Sequence, residues 1–273
     1  MVTVCVLKNF SQSVEGSASL WDPQNTSDIQ LLETRAGLMA DACRRHFHRR
    51  SARSGTAALP SGGWCLGQPH PIGQREPGVM RALPPGHEVA DLGIVSVLLD
   101  RVLRTPDGTL LSLIDFGAGV GQFGRELLAS QPSLSYAGYD GAGNVARRTQ
   151  GFVRFFDLTV PLSLPKADWL MCLEVGEHIP SSMEQTFVRN VHAHNRCGIV
   201  LSWAPLDRYG ISHVNNHSPE YVRALFEELG YLMDTELTKE IHHRAARSWM
   251  RDHVFVFRRR MQPLECSGLP GRG

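Results

Sequence analysis

The sequence predicts an α/β protein built on a mostly parallel sheet with helices on both faces. From Glu88 onward, short apolar runs of strand type alternate with segments of helical period. A glycine-rich turn, Gly117-Ala118-Gly119-Val120-Gly121, joins the first of those strands to a helix. The second and third strand-like runs end at acids, Asp140 and Asp157, and ligands of such sheets sit at the carboxyl ends of strands.

The 273 residues suffice for one good-sized domain and an extension. With 42% hydrophobic and 20% charged residues the chain reads as globular, and a net charge of +1 gives no global drive toward nucleic acid. No apolar run approaches the ~20 residues that span a bilayer, and Met1 to Phe10 lacks the small-residue cleavage site of a secretory signal. The six cysteines show no C-x-x-C spacing, so neither a zinc ribbon nor a disulfide scaffold is expected. Cys172 and Cys197 lie in apolar runs and are expected as buried thiols. Reduced thiols point to a cytoplasmic protein without a membrane.

Residues 1–85 form an N-terminal extension. Leu31 to Phe47 has helical spacing at Leu32, Ala36, Leu38, Met39 and Ala42, and leads into the basic stretch Arg44 to Arg50, either a phosphate contact or a solvated face. Ser51 to Gly86, rich in Gly, Pro and Ser, is expected to be irregular.

The domain spans 86–260. Val89 to Arg104 is helical by period, with Leu92, Val95, Leu99 and Val102 on one side, and Thr105-Pro106-Asp107-Gly108 ends it. Leu110 to Phe116 is the first strand and Gln122 to Ser130 the helix after the glycine turn. Ser133 to Tyr139, Phe152 to Phe156 and Asp168 to Val175 are the next strands. Ser181-Ser182-Met183-Glu184 has the S-x-x-E form of a capping box opening a helix. Cys197 to Trp203 is the fifth strand, and Ser218-Pro219 opens a helix that Gly230 stops. Tyr231 to Leu237 and His253 to Arg258 read as the last strands, with His242-His243 in the loop between them and Arg258 to Arg260 as a solvated end. The tail, 261–273, is expected to be disordered.

The segment Asp115-Phe116-Gly117-Ala118-Gly119-Val120-Gly121 lets a ligand approach backbone without side-chain bulk, and Asp140 can accept both hydroxyls of a ribose. Two ligands compete. Gly119-x-Gly121-x-x-Gly124 satisfies the dinucleotide fingerprint. Asp115 at the strand's mouth would repel a pyrophosphate, and it suits a ligand carrying ammonium and sulfonium charges.

On these residues, with Asp157 and the segment Glu174-Val175-Gly176-Glu177-His178, residues 89 to 260 resemble the class I S-adenosylmethionine-dependent methyltransferases. The resemblance implies a Rossmann-like seven-stranded sheet with an antiparallel last strand at Asp252 to Phe257. It implies a cofactor site at Asp115, Gly117, Ala118, Gly119 and Gly121 for the methionine part and Asp140 for the ribose, with Asp157 and Leu158 at the adenine. Glu174, Glu177 and His178 then line the reacting centre.

The E-x-x-E-H segment is similar to that of ubiquinone-pathway O-methyltransferases and small-RNA 2′-O-methyltransferases. There the matching residues hold a divalent ion such as Mg²⁺ or Mn²⁺, which would engage Glu174, Glu177 and His178, with His213 as fourth ligand. The other reading is metal-free, with Glu174 orienting the cofactor. The expected reaction is methyl transfer to oxygen on a small molecule or a short RNA end. A catalytically inactive binding module of the same fold and an NAD-dependent oxidoreductase are the alternatives. Trp203, Tyr209 and Trp249 either wall a substrate pocket or pack, and His217 reads as a helix-entry residue.

Overall fold

The computed structural model describes residues 26–48, 61–63, 65–66, 89–161, 164–210, 212–261 and 266. Seven strands form one sheet: β1 (Leu113–Phe116), β2 (Tyr136–Asp140), β3 (Val153–Phe155), β4 (Ala167–Cys172), β5 (Asn195–Ser202), β6 (Tyr231–Met233) and β7 (Val254–Arg259). Their spatial order is β3-β2-β1-β4-β5-β7-β6. The first five run parallel, while β7 pairs antiparallel with both β5 and β6. This is the Rossmann-like seven-stranded arrangement that the resemblance implied.

The helices are α1 (Thr26–His48), α2 (Leu92–Val97), α3 (Gln122–Ser130), α4 (Val145–Arg148), α5 (Glu184–Ala193), α6 (Pro219–Glu228) and α7 (Thr235–Arg244). Alternating strand side chains divide the core in two. Ile114, Leu170, Ile199, Leu201 and Phe257 pack on Phe187, Val188 and Val191 of α5 and Leu225 and Phe226 of α6. Leu113, Trp169, Met171, Val200 and Val256 pack on α2, α3 and Leu237 and Ile241 of α7. Burial on both faces is why these strands read as continuous apolar runs.

Several expectations are corrected. The helix at Val89 to Arg104 starts late, capped by the Asp91 side chain, and a π-turn at Leu98–Val102 shifts its register. Leu92 is therefore exposed, while Ile94, Val97 and Leu98 face the core. Tyr231 to Leu237 is strand only to Met233. Asp234 caps α7 by accepting from Leu237 N–H, and His242-His243 lies in that helix instead of a loop. From that helix, His242 Nε2 sits 2.8 Å from the Val254 carbonyl oxygen.

Ser181 to Glu184 forms no capping box, because a 3₁₀ turn (Ser181–Met183) precedes α5 and no side chain caps it. Arg258 and Arg259 are not a solvated end. Arg258 pairs with Asp234 at 2.7 Å, and Arg259 donates to Asn195 Oδ1 at 2.9 Å.

The thiols also differ from expectation. Cys172 is a buried free thiol, but Cys197 is bonded to Cys266, and Cys43 to Cys65, with Cα separations of 5.2 and 5.3 Å. Both pairs join segments that meet only in the folded chain, so their spacing in sequence carried no signal. Cys266 is thereby anchored and buried within the segment expected to be disordered, most of which, like much of Ser51 to Gly86, lies outside the described residues. No helix among the described residues is long and apolar enough to cross a membrane.

Candidate functional site

β1 lies between β2 and β4, so the chain order reverses there, and a crevice opens at the carboxyl ends of those strands. Phe116 is level with both Tyr139 and Cys172. Gly117, Asp140 and Leu173 therefore leave the sheet along one edge. The crevice holds a cavity of about 350 Å³ that reaches from Asp157 and Leu158, past Asp140 and Gly119, to Glu174 and His213.

The glycine turn runs as predicted, straight from β1 into α3. Gly117 and Gly121 have φ of +76° and +81°. A Cβ on Gly117 would lie 2.2 Å from Val175 Cγ2, and one on Gly121 would lie 2.6 Å from the Phe152 ring. Ala118 is buried, and its N–H donates to the Tyr139 carbonyl. Gly124, the third glycine of the competing fingerprint, makes room for the Tyr136 ring. The Tyr136 hydroxyl donates to Asp115 Oδ2 at 2.8 Å.

Two acids face this turn. Asp115 is 3% exposed, and burial pushes its carboxyl up to about 7 against the hydrogen bond from Tyr136, with the charge of Asp140 adding to the rise. Asp140 Oδ2 accepts from Gly119 N–H at 2.9 Å and Oδ1 from Ala142 N–H at 2.8 Å. Burial still raises it to about 6. Desolvation is the first cause of both shifts, and the crevice's cationic side chains, Arg208 and Arg247, line it together with Tyr209 and Trp249.

Asp157 is 2% exposed and already engaged. Its Oδ2 pairs with Arg35 of α1 at 2.6 Å, and its Oδ1 accepts from the N–H and hydroxyl of Thr159. Leu158 is buried beside it at the cavity wall.

Glu174 follows β4 in the left-handed region, φ +58°, which is costly for a residue with a Cβ and recurs at functional sites. Its N–H donates to Ser202 Oγ at 2.6 Å, its Oε1 accepts the Ser202 hydroxyl at 2.8 Å, and the same oxygen lies 2.8 Å from His253 Nε2.

Glu177, His178 and His213 form a separate cluster, offering ligand atoms within 4.8 Å of one another. Glu174 is not among them. Glu177 is fully buried, with neither oxygen in hydrogen-bonding geometry with any described residue. Burial, and then the charge of Glu174, push its carboxyl well up, while backbone N–H groups at Glu177 and Ala204 oppose this from outside bonding geometry. The Nδ1 atoms of His178 and His213 each lie 3.1 Å from a carbonyl oxygen, of Ser212 and Arg208. A carbonyl only accepts, so each Nδ1 donates there, and Nε2 is the ring atom that a cation could engage. A histidine fixed through its other nitrogen, beside an orphaned buried carboxylate, is the donor set a divalent cation requires.

Of the remaining candidates, Trp203 is buried under this loop: its Nε1–H donates to Asn215 O, and the ring leaves no room for a Cβ on Gly176. Tyr209, 96% exposed, and Trp249 border the crevice. His217 pairs with Glu184 at 2.7 Å and stacks on Tyr221 at the entry to α6. The side chains of Arg44 to Arg50 lie outside the described residues. Sequence reasoning missed Arg35, the crevice-lining segment at Ser61 to Leu66, Ser202 and His253. The adjacent Asp252-His253 pair at the start of β7 was the one available signal.

No protein-family profile matches the chain, and no curated protein matches it. Among solved structures it is similar to magnesium protoporphyrin IX methyltransferase from Synechocystis with bound SAH, at 19% identity over 64% of this chain and 84% of that one, TM-score 0.46. It is also similar to an O-methyltransferase family protein from Burkholderia thailandensis, at 14% identity over 63% and 56%, TM-score 0.44. A third is the YcgJ protein of Bacillus subtilis, at 18% identity over 62% and 94%, TM-score 0.40. At such distances the chemistry has to be read from the chain's own side chains.

Proposed function

We propose that this chain is an S-adenosylmethionine-dependent methyltransferase acting on an oxygen nucleophile and yielding S-adenosylhomocysteine. One observation carries the reading: an open crevice floored by the Gly117–Gly121 backbone, with Asp115 buried and Asp140 half-buried at its wall and their carboxyls pushed up to about 7 and about 6. Such a crevice favours a cationic nucleoside over a phosphate-bearing one.

In this reading the backbone of Gly117, Ala118 and Gly119 cradles the amino-acid end, with Asp115 countering its ammonium. Asp140, held by two backbone N–H groups, receives the ribose hydroxyls, and Leu158 lies against the base beside Asp157. Glu174, fixed by Ser202 and His253, faces the middle of the crevice and orients what binds there. The acceptor is a hydroxyl on a small molecule or a short RNA end, entering past Tyr209 and Trp249.

Glu177, His178 and His213 would hold a divalent ion, Mg²⁺ or Mn²⁺. When bound there, such an ion lowers the pKa of a substrate hydroxyl. The two histidines, donating from Nδ1 to backbone carbonyls, would offer Nε2 to such an ion, and Glu177 would supply the negative charge.

Calorimetric titration with S-adenosylhomocysteine tests the reading. Binding by the intact chain that Gly119→Arg and Asp140→Ala abolish is expected, and no heat from the intact chain would overturn it. Methyl transfer to a hydroxyl substrate, lost on chelation and restored by Mn²⁺, is expected of the cation site. Full activity after chelation, with no metal by elemental analysis, would remove that part alone.

A further inference from the structure

We propose that α1 together with residues 61–63, 65 and 66 caps the nucleoside end of the crevice and that the Cys43–Cys65 disulfide holds this cap shut, so that ligand affinity follows the redox state of this pair. The inference rests on the cofactor reading above for the identity of the ligand, and on geometry alone for the cap.

Four contacts seat the extension. Arg35 of α1 pairs with Asp157 at 2.6 Å, at the wall of the cavity. The backbone at Met39 crosses Gly143 so closely that a Cβ there would lie 2.2 Å from the Met39 carbonyl carbon. Leu66 is buried against Ala118 of the glycine turn and against Ala142, and it exchanges two hydrogen bonds with Asn144, at 3.1 and 2.7 Å. Gly62 and Gly63 lie on the backbone of His178 and Gly141, where added Cβ atoms would meet the carbonyl oxygens at 2.3 and 2.7 Å. Gly62, Gly63 and Leu66 thus bridge the loop after Asp140 and the loop that carries His178.

The disulfide converts these separate contacts into one unit. Cys43 lies at the end of α1 and Cys65 in the bridging segment, 22 residues apart in sequence, and both are buried. With the bond intact, the segment cannot lift from the crevice without moving α1, and α1 is held by Arg35 and by Gly143. Once it is broken, the segment can open alone, gaining the loop freedom that the crosslink had removed. A dithiol reductant supplies the two electrons: the S–S bond breaks, each sulfur takes up a proton, and the reductant leaves as its own disulfide. The second disulfide, Cys197–Cys266, starts from β5 and packs in the core with α2 and α7, so it serves as an internal control.

The test uses the whole chain, oxidised and reduced, with thiol state verified by mass spectrometry, alongside Cys43→Ser and Cys197→Ser. Reduction of the wild type, or Cys43→Ser, should weaken S-adenosylhomocysteine binding at least tenfold, whereas Cys197→Ser keeps the redox response. Hydrogen exchange supplies a readout without ligand: amides of Leu66 and Ala142 should exchange faster on reduction, and those of β4 should not. Equal affinity and equal exchange in the two verified states would overturn the cap, as would Cys43 and Cys65 remaining thiols under oxidant. Redox-dependent exchange without binding of the homocysteine nucleoside would support the cap and overturn the cofactor reading.

Discussion

His253, just before β7, places Nε2 2.8 Å from Glu174 Oε1, joining the antiparallel strand to the loop after β4 across 79 residues of sequence. Its Nδ1 lies 2.9 Å from Asp252 Oδ1, so both ring nitrogens face carboxylates. Burial, and more weakly the charge of Arg208, oppose the imidazolium, but the hydrogen bond and charge of Glu174 and the hydrogen bond of Asp252 outweigh them and raise the His253 pKa above its ordinary 6.5. The ring thereby tethers the carboxylate of Glu174, a residue that sits at φ +58° beside the crevice.

The first prediction follows from that pair. A raised histidine pKa gives stability that is fully present below pH 6.5 and is lost as pH rises through the higher folded value. Melting temperature should therefore fall with rising pH above 6.5, and His253→Gln should flatten that slope. The substitution removes one partner of a buried pair and should cost about 3 kcal/mol below pH 6.5. Thermal unfolding across pH checks both, and an unchanged slope in the variant would exclude the pairing.

Asp115 and Asp140 predict the pH dependence of cofactor binding. In the empty protein their carboxyls titrate at about 7 and about 6. Raised acids stabilise the fold below pH 3.8 relative to higher pH, and that contribution is lost as pH rises through 6 to 7. A cationic ligand reverses the balance by favouring the ionised forms. Affinity should fall as pH drops from 8 to 6, and binding at pH 7 should release protons. Titrations in buffers of different ionisation enthalpy measure that release, and proton uptake would contradict it.

Glu177→Gln should have opposite effects in the two states of the cation cluster. Without a cation the buried, partnerless carboxylate is a burden above pH 4.5, so the variant should melt about 1–3 kcal/mol more stably. With Mn²⁺ the wild type should gain stability and the variant little. Equal Mn²⁺-induced shifts in melting temperature for the two proteins would rule Glu177 out as a ligand.

Gly117→Ala should destabilise the protein by about 2–4 kcal/mol, through left-handed backbone strain and overpacking. The new Cβ would meet Val175 Cγ2 at 2.2 Å. Val175→Ala in the same chain should recover the packing part and leave the backbone part. A denaturant series on the single and double variants separates them, and a single variant as stable as the wild type would show that the turn can relax.

Much of the fold was legible because it is written in local pattern. β1, β4 and β5 are buried on both faces over most of their length, so each appears as an apolar run, and α3 and α6 carry their periodicity and, at Ser218, their cap. The misreadings share a cause. At Leu98–Val102 an extra residue per turn displaced the face, and at Asp234 a cap ended a strand that hydropathy alone would have continued to Leu237. Glu184 carries the capping-box spacing, yet Asn215, His217 and Tyr221 claim its carboxylate. In each case something that apolar pattern does not encode decided the outcome: a π-turn, a side-chain cap, or, at Glu184, contacts distant in sequence.

The sequence by itself determined the crevice's floor and its acids, because a strand, a glycine turn and the residues at strand ends are neighbours along the chain. Only the tertiary structure decided which groups they answer to. It brought Arg35 to Asp157 and His253 to Glu174, drew His213 beside Glu177 and His178 while leaving Glu174 apart, and bonded Cys43 to Cys65. Charge pairing, ligand convergence and disulfide formation all depend on distances of a few ångströms, and the packing of helices on the sheet sets those distances.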